Sequence, residues 1–169
     1  MATRKVINVP HPTLRAQAAP VTSFDQELEA LLDDMAETMR AAHGVGLAGP
    51  QIDVSRRVIV VEIGSEMDEE LPPTLYKLVN PEITNFSLET VIGAEGCLSI
   101  PGLMGDVERA QRITLEAQDP RGEPIKLQAQ GWLARVFQHE VDHLNGVLFT
   151  DKAERVWKTD EETEEYHAV

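Results

Sequence analysis

The chain has 169 residues, 42% hydrophobic and 26% charged, the balance of one soluble globular domain and not of a disordered or fibrous chain. Its 15 Lys and Arg stand against 29 Asp and Glu, a formal charge of −14, which repels phosphate backbones and anionic lipid, so no direct nucleic-acid binding is expected. No apolar run reaches the roughly 18 residues that span a bilayer, and residues 1–10 lack the apolar core of a secretory signal, so the chain reads as cytoplasmic with no membrane partner.

Ser23-Phe24-Asp25-Gln26 fits a capping box ahead of Leu28, Leu31, Leu32, Met35 and Met39, which share one helical face, and His43-Gly44 offers a stop. The spacing predicts a helix over about 25–42. Residues 57–63 are β-branched and apolar and predict a strand; 64–73 reads as loop; 77–84 reads as a second strand interrupted by Pro81. Ile113, Leu115 and Ala117, then Ile125, Leu127 and Ala129, alternate with polar residues around the turn Asp119-Pro120-Arg121-Gly122, the pattern of an antiparallel hairpin with one wet face. A second helix is expected over about 132–144, ended by Asn145-Gly146 in a left-handed cap. One domain is expected over 1–157, followed by an acidic, solvated tail over 158–169.

Cys97 is the one cysteine, so no disulfide forms within the chain, and its role is packing, reactivity or metal ligation. His139-Glu140-Val141-Asp142-His143 is an H-E-x-x-H motif inside the second helix. Residues four apart on a helix have Cβ atoms about 5 to 6 Å apart, so two imidazoles can bite one ion. Glu140, one position round from His139, can approach a water on that ion without becoming a ligand. Ordinary polar residues on an exposed helix face are the plainer explanation of such a match. The stripes Trp132, Val136, His139, His143 and Leu133, Phe137, Glu140, Leu144 argue against it, because the histidines and the glutamate continue the face that should meet the sheet. A catalytic site of this kind needs a third protein ligand and an open position. Asp151 and Glu154 downstream could supply an oxygen, but Cys97 is the better ligand for a soft or borderline ion.

Three stretches occur in order: Gly44-Val45-Gly46-Leu47-Ala48-Gly49-Pro50-Gln51, Glu95-Gly96-Cys97-Leu98-Ser99 and Gln138-His139-Glu140-Val141-Asp142-His143. The first fits a nucleotide loop poorly, since it follows a helix and not a strand and no phosphate-binding lysine trails it. Together the three resemble the motifs of the peptide deformylases, and the resemblance runs over about 6–149, taking in Pro10-His11-Pro12-Thr13-Leu14-Arg15 and Leu144-Asn145-Gly146-Val147-Leu148-Phe149. It implies an α+β fold with antiparallel β-sheets packed around a central helix that carries H-E-x-x-H. It implies Cys97, His139 and His143 as metal ligands with water in the fourth position, and Glu140 as the group that moves the proton. It places the Gln51 amide and the Leu98 backbone N–H at the formyl oxygen, and Gly46 on the substrate backbone. Val45, Val136 and Trp132 are expected to wall a pocket for a methionine side chain.

The implied reaction is hydrolysis of the N-formyl group from N-formylmethionine at the start of newly made polypeptides, releasing formate. Its partners are those nascent peptides, with a transient ribosome association. The family implies iron(II); the donor set also suits zinc, nickel or cobalt. Two positions depart from the family pattern: Gly49 stands where a second alanine is usual, and Met104 where many relatives have arginine. Two other readings share part of the pattern. An H-E-x-x-H endopeptidase would take its third ligand downstream, and a deformylase-like protein would bind N-terminal peptides without turnover.

Overall fold

The computed structural model describes residues 2–64 and 72–159. Most of the loop expected at 64–73, and the acidic stretch from Asp160 onward, lie outside the described residues. In chain order the elements are α1 (Gln26–Ala41), β1 (Gly46–Ala48), β2 (Val58–Ile63), β3 (Thr74–Phe86), β4 (Thr90–Cys97), β5 (Ile100–Ala110), β6 (Arg112–Gln118), β7 (Pro124–Gln130), α2 (Gly131–Leu144), α3 (Phe149–Lys152) and β8 (Arg155–Lys158). Helix α1 begins as expected, but Asp25 and not Ser23 caps it, its carboxylate accepting from the Leu28 N–H at 3.1 Å. A carboxylate there satisfies an orphan N–H and also meets the positive end of the helix dipole.

The strands form two antiparallel sheets, one of five strands in the order β1-β2-β3-β6-β7 and one of three in the order β4-β5-β8. Strand β2 is buried on both faces, as its continuous apolar run requires. Ile59 and Val61 join Val136, Phe137, Val141 and Leu144 of α2 in one core cluster, while Val58 and Val60 join Leu28, Leu32, Met35 and Met39 of α1 in another. The five-stranded sheet is thus sandwiched between the two helices. Strand β3 is longer than its sequence suggested, and Pro81 sits in a register shift between Val79 and Glu82, where a missing N–H breaks no ladder bond. The expected hairpin is β6–β7 in register, with Gly122 N–H closing the turn onto Asp119 O at 2.9 Å.

Strands β4, β5 and β8 were not foreseen. Strand β8 carries the chain through Lys158, which pairs with Leu103, so residue 158 is still part of a sheet. Helix α2 packs on both sheets and ends in a left-handed Gly146 (φ +73°), with Val147 N–H on Asp142 O and Gly146 N–H on His143 O. No helix of the described residues is long and apolar enough to cross a membrane.

Candidate metal centre

Helix α2 presents His139 and His143 one turn apart, both 1% exposed, and their Nε2 atoms lie 3.2 Å from each other. Cys97 ends β4, wholly buried, with Sγ 3.3 Å from His143 Nε2. Among the described residues these three form the group of side chains placed to share one ion, their donor atoms all within 4.8 Å of each other. Ligands at the corners of a tetrahedron with bonds of about 2.0 to 2.3 Å stand roughly 3.3 to 3.6 Å apart, so the observed spacing fits a single cation. Asp151 is engaged elsewhere, holding Arg15 and accepting from the Leu148 N–H at 3.0 Å, and neither it nor the exposed Glu154 is in the donor group.

Glu95 fixes the His139 ring. Its Oε1 is 2.9 Å from His139 Nδ1, while Arg109 reaches both of its oxygens at 2.9 Å and Arg135 reaches Oε2 at 2.7 Å. Burial by itself would raise the Glu95 pKa, but the hydrogen bonds from Arg109 and His139 prevail and hold it well below the ordinary carboxylate range. An ionised Glu95 can only accept, so His139 carries a hydrogen on Nδ1 and turns Nε2 towards Cys97 and His143. Burial also opposes charge on His139, yet hydrogen bonds with Cys97 and Glu95 and the charge of Glu140 push its pKa up to about 10. His143 moves the other way, well below its ordinary value, through burial and the positive His139 beside it. In the metal-free cluster His139 thus carries an extra proton, which a cation on these donors would displace.

Glu140 is wholly buried, and neither carboxylate oxygen has a hydrogen-bond partner among the described residues. Burial is the main reason that its pKa rises to about 7. Gly46 of β1 lies directly against it: a Cβ there would collide with Oε2 and come within 2.9 Å of Cδ. The buried Gln51 is oriented by the Ala48 N–H, which donates to Oε1 at 3.0 Å. Its Nε2 therefore faces Ser99 Oγ at 3.2 Å and Cys97 Sγ at 3.5 Å. Leu98 follows Cys97 in the turn to β5, its side chain packed over Gly44.

Cys97, His139, His143, Glu140, Gln51 and Gly46 thus converge. The expected pocket residues are more dispersed. Val136 is wholly buried in the α2 core, and half-buried Val45 packs against that same cluster. Trp132 lines a small cavity with Val91, Gly93 and Arg135, two turns before His139. Met104 stands opposite Gly96 on one side and Trp157 on the other. Sequence reasoning missed Arg109, Arg135 and Ser99, and gave Glu95 no role. Arg135 could have been noticed, since it is a charged residue four positions before His139, one turn away on the same helix.

A family model described as polypeptide deformylase matches residues 3–159. The chain is 46% identical over 165 residues to the peptide deformylase of Symbiobacterium thermophilum, covering 98% of this chain and 73% of that one. The crystal structure of peptide deformylase from Thermotoga maritima superposes with a TM-score of 0.85 at 39% identity, over 92% of this chain and 100% of that one. Peptide deformylase from Ehrlichia chaffeensis, crystallised in complex with actinonin, gives a TM-score of 0.85 at 40% identity, over 92% and 91%. With matches over nearly the whole chain, and with one cysteine and two histidines gathered around one point, this chain belongs to the peptide deformylase family.

Proposed function

We propose that this protein hydrolyses the N-formyl group from peptides that begin with N-formylmethionine, releasing formate and a free amino terminus. The observation that carries this reading is the Cys97, His139 and His143 donor set beside a buried Glu140 carboxylate without a partner among the described residues. A divalent ion on those donors, iron(II) in our reading, would supply Lewis acidity, polarising the formyl carbonyl and bringing water towards a pKa of about 7.

Glu140 accepts the proton of the attacking water. Burial raises its pKa in the metal-free protein, which keeps its carboxylate basic enough to take a proton near neutrality. It then delivers that proton to the amide nitrogen as the C–N bond breaks, so that water and formamide become formate and amine. The fixed Gln51 amide and the Leu98 backbone N–H face the formyl oxygen, each donor contributing about 3 kcal/mol as charge develops. Gly46 gives the peptide backbone room beside Glu140, and half-buried Val45 presents apolar surface to the methionine side chain, with Val136 packed behind it. Nascent chains are the substrate pool, which places the work in the cytoplasm.

The test is formate release from formyl-methionyl peptides by protein loaded anaerobically with iron(II), beside Cys97→Ala and an internal-peptide substrate. Formate from the wild type alone, with no internal cleavage, is the expected result. No formate, or cleavage within the peptide, would overturn the reading.

A further inference from the structure

Arg135 is 6% exposed and lies one helical turn before His139 on α2. Its guanidinium is held in a defined set of contacts: Nη1 donates to Glu95 Oε2 at 2.7 Å and to Val107 O at 2.9 Å, and Nη2 donates to Val91 O at 2.8 Å. Gly93 makes room for it, since a Cβ there would come within 2.9 Å of Arg135 Cζ. Val91, Gly93 and Glu95 all belong to β4, the edge strand of the three-stranded sheet, which ends in Cys97. The same side chain therefore touches the carboxylate that orients His139 and the strand that delivers the cysteine.

We propose that Arg135 is a positioning residue for the metal centre, fastening the strand that carries Cys97 to the helix that carries both histidines and fixing Glu95 against His139 Nδ1. The proposal rests on the metal-site reading above. A carboxylate bonded to the far nitrogen of a ligand imidazole sets its tautomer and basicity, and disturbing such a partner typically weakens metal binding or activity about 10- to 100-fold. Arg135 and Arg109 have different parts in this. Arg109 holds both oxygens of Glu95 and runs on to Asp142, which Lys152 also holds, and so ties the carboxylate into α2 and the segment after it. Arg135 adds the link to β4 through backbone carbonyls. Its removal leaves Glu95 still paired with Arg109, so no buried charge is stranded and the fold should persist.

The experiment compares wild type with Arg135→Met, which keeps the packed stem of the side chain, and Arg135→Lys, which keeps one cation for Glu95 but cannot reach the carbonyls as a fork. Metal dissociation constants for zinc and cobalt(II) are measured by chelator competition, the cobalt(II)–thiolate absorption is recorded, and kcat and KM are determined separately. Urea unfolding of the metal-free proteins reports on the fold. Arg57→Met is the control, because Arg57 caps α2 through Leu144 O at 3.0 Å, and its other hydrogen bonds go to Ala18 O and Asn145 Oδ1, away from Cys97, His139 and Glu95. The expected result is metal affinity about 10- to 100-fold weaker in Arg135→Met, a shifted cobalt band, lower kcat with little change in KM, and intermediate values in Arg135→Lys. Arg57→Met should lose stability only. If Arg135→Met does not fold, Arg135→Lys still decides, through weaker metal binding and a shifted cobalt band in a folded protein. Unchanged affinity and an unchanged cobalt band in whichever variants fold would make Arg135 purely structural and overturn the proposal. A wild type that binds no metal would instead overturn the site reading itself.

Discussion

Glu95 and Glu140 are both wholly buried beside His139, and the fold treats them in opposite ways. Glu95 accepts from two arginines and a histidine and stays ionised far below the ordinary carboxylate range. Glu140 accepts from no described residue and is driven up to about 7. The comparison separates anchoring from chemistry: a buried carboxylate whose lone pairs are all filled holds its surroundings in place, whereas an unfilled one is available to take and give a proton.

The largest expected effect comes from breaking the unfilled partner. Glu140→Gln should lower kcat about 10²- to 10⁴-fold, the usual worth of a positioned acid/base group. Metal content measured by elemental analysis should stay at wild-type level, since Glu140 is not a ligand. Near-normal turnover would remove Glu140 from the mechanism.

Next in size is the filled partner. Glu95→Ala leaves the buried Arg135 without its carboxylate and Arg109 with Asp142 alone, and should destabilise the metal-free protein by about 3 to 5 kcal/mol in urea unfolding. A loss under about 1 kcal/mol, the range of exposed ion pairs, would show that the cluster anchors nothing.

The pH dependence of metal-free stability sharpens the same contrast. Glu95 has a folded pKa below its ordinary 4.5, so its stabilisation is complete above about pH 4.5 and fades as pH falls further. Glu140 is raised from 4.5 to about 7, so its contribution is complete below about pH 4.5 and is lost as pH rises through 7. Glu95→Gln should flatten the acid limb, and Glu140→Gln should remove the decline between about pH 4.5 and 7. A wild-type profile that Glu140→Gln leaves unchanged would contradict the raised pKa.

The smallest effect concerns the Gln51 amide. Ser99→Ala removes one acceptor of Gln51 Nε2 while the Ala48 N–H still fixes Oε1. At roughly 1 kcal/mol for a neutral hydrogen bond, kcat should fall about 3- to 10-fold with the metal retained. No change would leave the orientation of Gln51 to Ala48 alone.

Much of the five-stranded half of the fold was legible. The β6–β7 hairpin alternates with period two, β2 is a continuous apolar run, and α1 carries a clean apolar stripe, so local pattern and final environment agree. Strands β4 and β5 had no such signal, because Gly93, Gly96, Gly102 and Gly105 interrupt them. The register shift at Cys97 breaks the alternation further.

The sequence by itself determined the ligand helix and its exposure. Four-residue spacing puts His139, His143 and Glu140 at fixed places on α2, and the apolar stripes around them bury that face whatever the rest of the chain does. Only the tertiary structure decided how Glu95 and Glu140 differ. Whether a buried carboxylate is filled depends on donors from distant strands and helices, here Arg109 and Arg135 for Glu95 and, among the described residues, none for Glu140. No local pattern encodes that, because hydrogen-bond satisfaction and desolvation are set by what the folded chain brings within about 3 Å.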